Sequence, residues 1–426
     1  MTSPWPKMFP GKMAVQPRYV PLVLLMIAFS VVSYFDRVIM SIAAPQLLRE
    51  FALSATRMGW VYSAFMLTYA VCMLPGGALA DRFGADRVLL SVGIGSALFT
   101  ALTAWAGKPG IGQWLGIFPA LLIVRLALGA CTAPLYPSCA RINATVIPAK
   151  WRARVWGCVA AGCGIGGGLA PPLFTFMQAR WGWRVGFCIS AAGTAALGLS
   201  WLWVRGDVFR TTNATQPGAA DSKNLFLWRL LLDRNLILLT VAYAAVNYFE
   251  YIFFYWLFYY FGQVRHIATQ QSSTYTTLTW LSWAVMTPIG GWISDRAVVT
   301  YGRRNGRRLV PIFALTLSAV LLYLATSSQN LAVMVSLLCV ALGCAAATEG
   351  PFWVAASEIG RAHPAAAAGV MNTGGSIGGF LAPVITPFIA ERGGWPTALS
   401  AGSAAVLGAV VLWFFVGARH PDVGRE

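Results

Sequence analysis

Apolar runs long enough to cross a bilayer recur twelve times along this chain, separated by short charged or turn-rich breaks. They fall at approximately 19–44, 56–80, 87–106, 117–140, 153–178, 184–205, 234–261, 273–295, 309–327, 330–356, 363–390 and 394–417. A hydrocarbon core about 30 Å thick takes about 20 apolar residues of helix, and only helices or closed barrels satisfy every backbone group inside it. Runs this long predict an all-α polytopic membrane protein with 12 transmembrane helices. Composition agrees: 58% of the 426 residues are hydrophobic and 11% are charged, roughly half the charged fraction of a soluble domain. Soluble enzyme folds are thereby excluded. The first run follows Lys7, Lys12 and Arg18 as the core of a signal peptide would, but its length marks a retained helix.

The chain carries 31 Lys and Arg against 14 Asp and Glu, a formal net charge of +17. In a soluble chain that balance suggests nucleic acid. Loop position gives another reading. With both termini in the cytoplasm, 22 of the basic residues fall on the inner side and 7 on the outer side, the asymmetry of the positive-inside rule. The expectation is a multi-pass protein of the inner or plasma membrane, a monomer in contact with lipid and with no nucleic-acid partner. The polar stretch 206–233 is read as a cytoplasmic linker between two six-helix bundles, 1–205 and 234–426.

Catalytic and metal chemistry find no foothold. The eight Cys lie in apolar segments without metal-ligand spacing, and His266, His363 and His420 fall in loops or the tail. Asn143 and Asn213 head glycosylation sequons that would face the cytoplasm and read as chance matches. No nucleophile, base and orienting group stand at recognisable spacing, so no enzyme, metal or cofactor is expected. No phosphate-cradling motif appears either, which leaves ion and solute gradients to drive any transport.

The chain repeats itself at a shift of about 214 residues. Tyr34-Phe35-Asp36-Arg37-Val38 maps to Tyr248-Phe249-Glu250-Tyr251-Ile252, and Gly76-Gly77-Ala78-Leu79-Ala80-Asp81-Arg82 maps to Gly290-Gly291-Trp292-Ile293-Ser294-Asp295-Arg296. Ile165-Gly166-Gly167-Gly168-Leu169-Ala170-Pro171 returns at 377–383, shifted by 212. Three matches in order describe two parallel, pseudo-symmetric halves with a site expected between them near the membrane midplane.

The segment Gly77-x-Leu79-Ala80-Asp81-Arg82-Phe83-Gly84-x-x-Arg87 resembles the signature between the second and third helices of the major facilitator superfamily. The resemblance covers the whole chain. Ser33 to Arg37, Arg125, the Trp256 segment, Gly350 to Trp353 and the glycine-spaced run from Gly369 to Pro383 resemble more narrowly its anion:cation symporter branch. That resemblance implies a secondary active transporter working by alternating access. It would import a small organic anion, a sugar acid or an aromatic or other carboxylate, by proton symport; sodium is the alternative coupling ion. It also implies that Asp36 is a proton site and that Tyr34, Tyr69, Trp353 and Asn372 line the pocket. The branch carries a second carboxylate seven residues after the Arg of the fourth helix, where this sequence has Thr132.

The residues themselves point the same way. Asp36, Arg37, Arg125, Glu250 and Glu349 are ionisable groups well inside the predicted spans, and such groups normally face the protein interior with partners. Arg37 and Tyr34 share a helix face, whereas Asp36 is turned about 100° from Arg37. Arg37 and Arg125 are the candidates for a substrate carboxylate, here taken as a monocarboxylate, with Tyr34, Tyr69, Trp256, Trp353 and Asn372 as further substrate contacts. Asp36, Glu250 and Glu349 are the candidates for proton coupling. The structural alternative is an ion network joining Asp36 and Glu250 to Arg37 and Arg125. Asp81, Arg82, Arg87, Asp295 and Arg296, at helix ends, read as gate residues. The run from Tyr251 to Phe261 reads as an aromatic belt at the membrane interface. Two alternative functions remain: an organophosphate or other solute antiporter of the same fold, and a non-transporting membrane sensor.

Overall fold

The computed structural model describes residues 19–107, 116–147, 149–208, 231–360 and 364–416. Most of the expected linker, His363, His420, Asn213 and the N-terminal basic residues lie outside them. Every described regular element is helical. The first three spans are α1 (Val20–Glu50), α2 (Ala55–Phe83) and α3 (Ala85–Trp105), and α4 (Ile117–Thr145) is interrupted at Ala133 and Pro134. A 60-residue helix, Ala149–Val208, follows. At 1.5 Å per residue it would measure about 90 Å, far more than a bilayer, and Gly182 breaks it with φ 81°. Its two parts are α5 (149–181) and α6 (183–208).

The second half repeats the plan. α7 (Arg234–Tyr259) runs into a π-helical turn, Tyr260–Val264. Thr269–Ser327 is divided at Gly302, φ 78°, into α8 (269–301) and α9 (303–327). α10 (Leu331–Gly360) has a break at Ala347 and Thr348, and Pro364–Phe415 is divided at Gly394, φ 79°, into α11 (364–393) and α12 (395–415). The twelve spans expected from the apolar runs are thus the twelve found, several with longer ends. Four of the six left-handed glycines among the described residues fall at matching points of the repeat. Gly84 and Gly302 turn the chain between the second and third span of each half, Gly182 and Gly394 between the fifth and sixth. A positive φ is what glycine accepts without steric cost.

Nine helices among the described residues are long and apolar enough to cross a membrane, and two of those nine are the paired spans α5–α6 and α11–α12. α8 falls short because it is rich in Ser and Thr. Ser272, Ser273, Thr276 and Thr279 are nonetheless buried, and Thr276 and Thr279 donate back to the helix carbonyls of Ser272 and Thr276. That local bond satisfies a hydroxyl without water. Large apolar side chains such as Leu24, Val241, Phe313 and Phe414 are exposed on the outside of the bundle, as lipid-facing positions require.

Glycines set the closest helix contacts within each half. A Cβ on Gly166 of α5 would overlap the carbonyl oxygen of Val31 on α1, and one on Gly378 of α11 would overlap that of Ala244 on α7. The two contacts are related by the repeat. They bring helix backbones together as small residues do in membranes, where apolar surface alone gives no drive to associate.

Contacts between the halves concentrate toward one face, the one bearing the turn between α1 and α2. There Thr56 donates to Glu391 at 2.6 Å, Ser63 donates to the carbonyl of Phe380 at 2.5 Å, and the rings of Tyr62 and Tyr255 stack with centroids 4.7 Å apart. On the opposite face, which carries the basic loops, the ion pairs stay within a half. Asp81 pairs with Arg141, and Arg307 pairs with Asp295 at 2.9 Å and with Glu358 at 3.4 Å. The molecule is therefore sealed at one face, with no cross-half ion pair at the other among the described residues.

Candidate functional site

The site is built around Arg37 in the middle of α1. The i, i+3 relation anticipated from sequence puts Tyr34 over its guanidinium, with the ring centroid 4.7 Å from Cζ. α2 supplies two more faces, Phe65 at 4.9 Å and Tyr69 at 4.8 Å. Phe65 and Tyr69 are four residues apart and stack on each other at 5.7 Å, as neighbours on one helix face do. A guanidinium among three rings gains cation–π attraction, stronger once water is excluded. Nη1 donates to the Tyr251 hydroxyl of α7 at 3.3 Å. Arg37 thus meets its own symmetry mate, 214 residues on, across the two halves. Its Nε and Nη2 are buried and meet no protein acceptor.

Asp36 turns away from Arg37, as the helical geometry anticipated. Ser190 donates to one carboxylate oxygen, and Thr194 donates to the other at 2.8 Å; both stand on α6. Both oxygens of this buried carboxylate are thus held by hydroxyls rather than by a cation. Arg125, on α4, lies beyond Phe65, with Cζ 5.9 Å from that ring. The ion network linking Asp36 and Glu250 to the arginines does not form. No carboxylate lies within ion-pair distance of Arg37 or Arg125 among the described residues.

A small cavity of about 20 Å³ opens beside these groups, bordered by Ser33, Asp36, Arg37, Ser96, Thr132 and Thr194 among others. It has room for about one water molecule. Thr132 donates to the Leu128 carbonyl at 2.7 Å and lies 3.1 Å from the Ser96 hydroxyl. The position where the resemblance implies a carboxylate therefore does face the Asp36 region, but with a hydroxyl.

The second half carries its own polar cluster. Glu349 begins the lower part of α10 and accepts from Tyr243 at 2.9 Å and from Trp353 at 3.2 Å. Glu250 is buried on α7 and accepts from Trp283 of α8 at 3.2 Å; the two carboxylates lie within Coulombic reach of each other. Trp353 is 40% exposed. Asn372 sits at the α2–α11 contact, its amide 3.8 Å from the Met73 sulfur.

Six of the named positions lie away from this centre. Trp256 is fully buried near the sealed face, against Tyr62, Tyr259 and Trp395. Asp81, Arg82, Arg87, Asp295 and Arg296 are all exposed on the basic face, where Arg82 lies over Phe83 and Arg296 over Trp292. The belt reading of 251–261 is corrected: Tyr251, Phe254, Tyr255, Trp256, Tyr260 and Phe261 are buried in protein. Tyr251, Phe65, Ser190, Thr194, Tyr243 and Trp283 were not singled out as site residues by sequence. Tyr251 and Trp283 carried a signal, their alignment with Arg37 and Tyr69 in the repeat.

A buried, ring-caged charge between two pseudo-symmetric helical halves is the architecture of a polytopic membrane transporter. The chain belongs to the Major Facilitator Superfamily, whose sequence profile matches residues 25–383. It is 25% identical over 419 residues to the hexuronate transporter of Bacillus subtilis (strain 168), covering 95% of this chain and 96% of that protein. It is 26% identical to the probable sulfoacetate transporter SauU of Cupriavidus necator over 85% of both, and 25% identical to the D-galactonate transporter of Escherichia coli O6:H1 over 94% and 96%. Relatives of this kind bear out the resemblance to the anion:cation symporter branch. In fold it is similar to a bacterial homolog of the human lysosomal transporter Spinster in an inward-facing, occupied conformation, with TM-score 0.77 and 18% identity over 95% and 97% of the two chains. The D-xylose-proton symporter is similar at TM-score 0.72 and 17% identity, over 94% and 98%.

Proposed function

We propose that the protein is a secondary transporter that imports a small organic anion together with a proton by exposing Arg37 alternately to the two faces of the membrane. The observation that carries this reading is the Arg37 guanidinium, caged by Tyr34, Phe65 and Tyr69, bonded across the halves to Tyr251, and left with Nε and Nη2 open. A planar cation with a free N–H edge suits a carboxylate. The relatives' names, hexuronate, sulfoacetate and D-galactonate transporters, support an organic acid as cargo. A phosphate dianion would draw on a second cation at the symmetry position, which holds Tyr251.

Asp36 is the proton site of the first half and Glu250 with Glu349 those of the second. Thr132 cannot titrate, so its hydroxyl lines the cavity while Asp36 takes the proton. The carboxyl of Asp36 accepts a proton from one face and releases it at the other, and substrate binding at the adjacent Arg37 is linked to that step. Asp81, Arg82, Arg87, Asp295 and Arg296 close the basic face by exchanging their partners within each half for partners in the other. Both termini then lie in the cytoplasm, 1–205 and 234–426 act as the two moving bundles, and the protein works as a monomer in lipid.

Proteoliposomes test this directly. Asp36→Asn should abolish uphill uptake driven by a pH gradient while sparing exchange of substrate across the membrane; unchanged uphill uptake would exclude Asp36 as the coupling site. Replacing the pH gradient with a sodium gradient separates the two coupling ions.

A further inference from the structure

Between Arg37 and the sealed face lies a group of buried polar atoms that the Arg37 reading does not use. Arg125 Nε, Tyr62 Oη, Tyr255 Oη and Trp256 Nε1 all lack a protein partner, as do Arg37 Nε and Nη2. Each of the five side chains is at least nine-tenths buried, with exposures of 5% for Arg37, 2% for Arg125 and Tyr255, and 0% for Tyr62 and Trp256. They are neighbours. Tyr62 stacks on Tyr255 at 4.7 Å and meets Trp256 edge-on at 5.5 Å, and Arg125 lies within Coulombic reach of both tyrosines. The Arg37 and Arg125 guanidinium carbons sit 4.9 and 5.9 Å from the Phe65 ring, so they are no more than about 11 Å apart.

The chemistry of the unpartnered groups is one-sided. Guanidinium and indole nitrogens donate and cannot accept, and a phenol can donate. Leaving such donors unmet in a buried place is costly, and one acceptor-rich molecule would meet them all. The charge points the same way: among the described residues no carboxylate lies within ion-pair distance of either guanidinium, and the two oxygens of Asp36 are held by Ser190 and Thr194. A carboxylate docked on Arg37 would leave Arg125 and its neighbours unserved.

We propose that Arg125, Tyr62, Tyr255 and Trp256 form a second anion subsite that takes the far end of the substrate. The preferred cargo then carries an acid group at each end, as in a dicarboxylate or a sulfonated carboxylate. The inference rests on the placement of the first carboxylate at Arg37 and changes the expected class from monocarboxylate to dianion. The subsite also has a mechanical consequence. Tyr62 and Arg125 belong to the first half, Tyr255 and Trp256 to the second, so a dianion bridging Arg37 and this subsite holds the halves together at the sealed face.

Calorimetry on the purified full-length protein tests this with two matched probe pairs: galactarate against galactonate, and sulfoacetate against acetate. The diacid of a pair should bind about tenfold tighter or more, the worth of hydrogen bonds to a charged group. Tyr255→Phe and Arg125→Gln should each weaken the diacid about tenfold and change the monoacid less than twofold, whereas Arg37→Gln should weaken both. Tyr255→Phe keeps the stacked ring and serves if Arg125→Gln fails to fold. Equal affinity for diacid and monoacid in both pairs, or an equal loss of both on Tyr255→Phe, overturns the second subsite and leaves the Arg37 reading standing. Absence of binding by all four acids overturns the organic-acid reading and this inference with it.

Discussion

At the scale of single residues, Arg37 is the group on which the proposed function turns, and its shape matters as much as its charge. Three rings contact the flat guanidinium, and the edge they leave open is the edge a carboxylate needs. Lysine offers a point charge without that plane or fork. Arg37→Lys should therefore fold and keep a positive site yet lose about 2 kcal/mol of substrate binding, about thirtyfold in Kd; an unchanged Kd would show that charge alone suffices. Much of this was legible in the sequence. Tyr34 and Arg37 three residues apart predict a shared face, and Asp36 one residue away predicts the divergence seen. The partners on other helices were not legible. Ser190 and Thr194 are ordinary hydroxyls until α6 is known to pack behind Asp36. Tyr251 sits in an aromatic run that composition assigns to a membrane interface, because a buried core and a lipid boundary draw on the same side chains.

At the scale of elements, the glycine pattern fixes which helices can touch. Gly166 and Gly378 pack on the backbones of α1 and α7, the two helices that carry Arg37 and Glu250, so the positions of both charged groups are set by contacts that tolerate no side chain. Gly378→Leu should drive α11 away from α7 and cost about 1–3 kcal/mol or more through overpacking. Thermal unfolding in detergent should show a midpoint lower by several degrees, against an unchanged midpoint for Gly408→Ala, where nothing lies within 4 Å. Equal midpoints for the two variants would mean that the helix pair has slack. The sequence revealed these glycine runs as partners in the repeat, and it revealed the twelve spans by hydropathy. It was least clear at α8, whose hydroxyls depress hydropathy although many are buried and bonded within the helix.

At the scale of the whole molecule, the repeat supplies two equivalent frameworks and the sequence fills them differently, with the cation in one half. At the symmetry-related positions, Asp36 and Glu250 are both carboxylates, but Arg37 becomes Tyr251 and Tyr69 becomes Trp283. The first half thus holds a ring-caged cation and the second a carboxylate bonded to an indole. In the mechanism proposed above, an anion entering between them docks on the first half, while the second half supplies Tyr251 and further proton sites, so binding needs both. Which face is sealed was not legible, because one sequence encodes both end states and hydropathy is the same in each. The structure shows the face with Thr56 and Glu391 joined at 2.6 Å, and the alternating access proposed above requires that contact to part in every cycle. Thr56→Cys with Glu391→Cys, joined by a short bifunctional thiol reagent, should hold the face shut. The native cysteines include the exposed Cys158 and Cys188, so the pair belongs in a background lacking both. Cross-linked protein in proteoliposomes should lose at least nine-tenths of its uptake, a figure of the order expected when about one molecule in ten escapes modification. Cleaving the linker should restore it, and each single cysteine should be insensitive. Because the lock lies far from Arg37, binding measured by calorimetry should survive. Uptake at the normal rate through a cross-linked face would mean that Thr56 and Glu391 stay together throughout the cycle, and that the halves move about some other line.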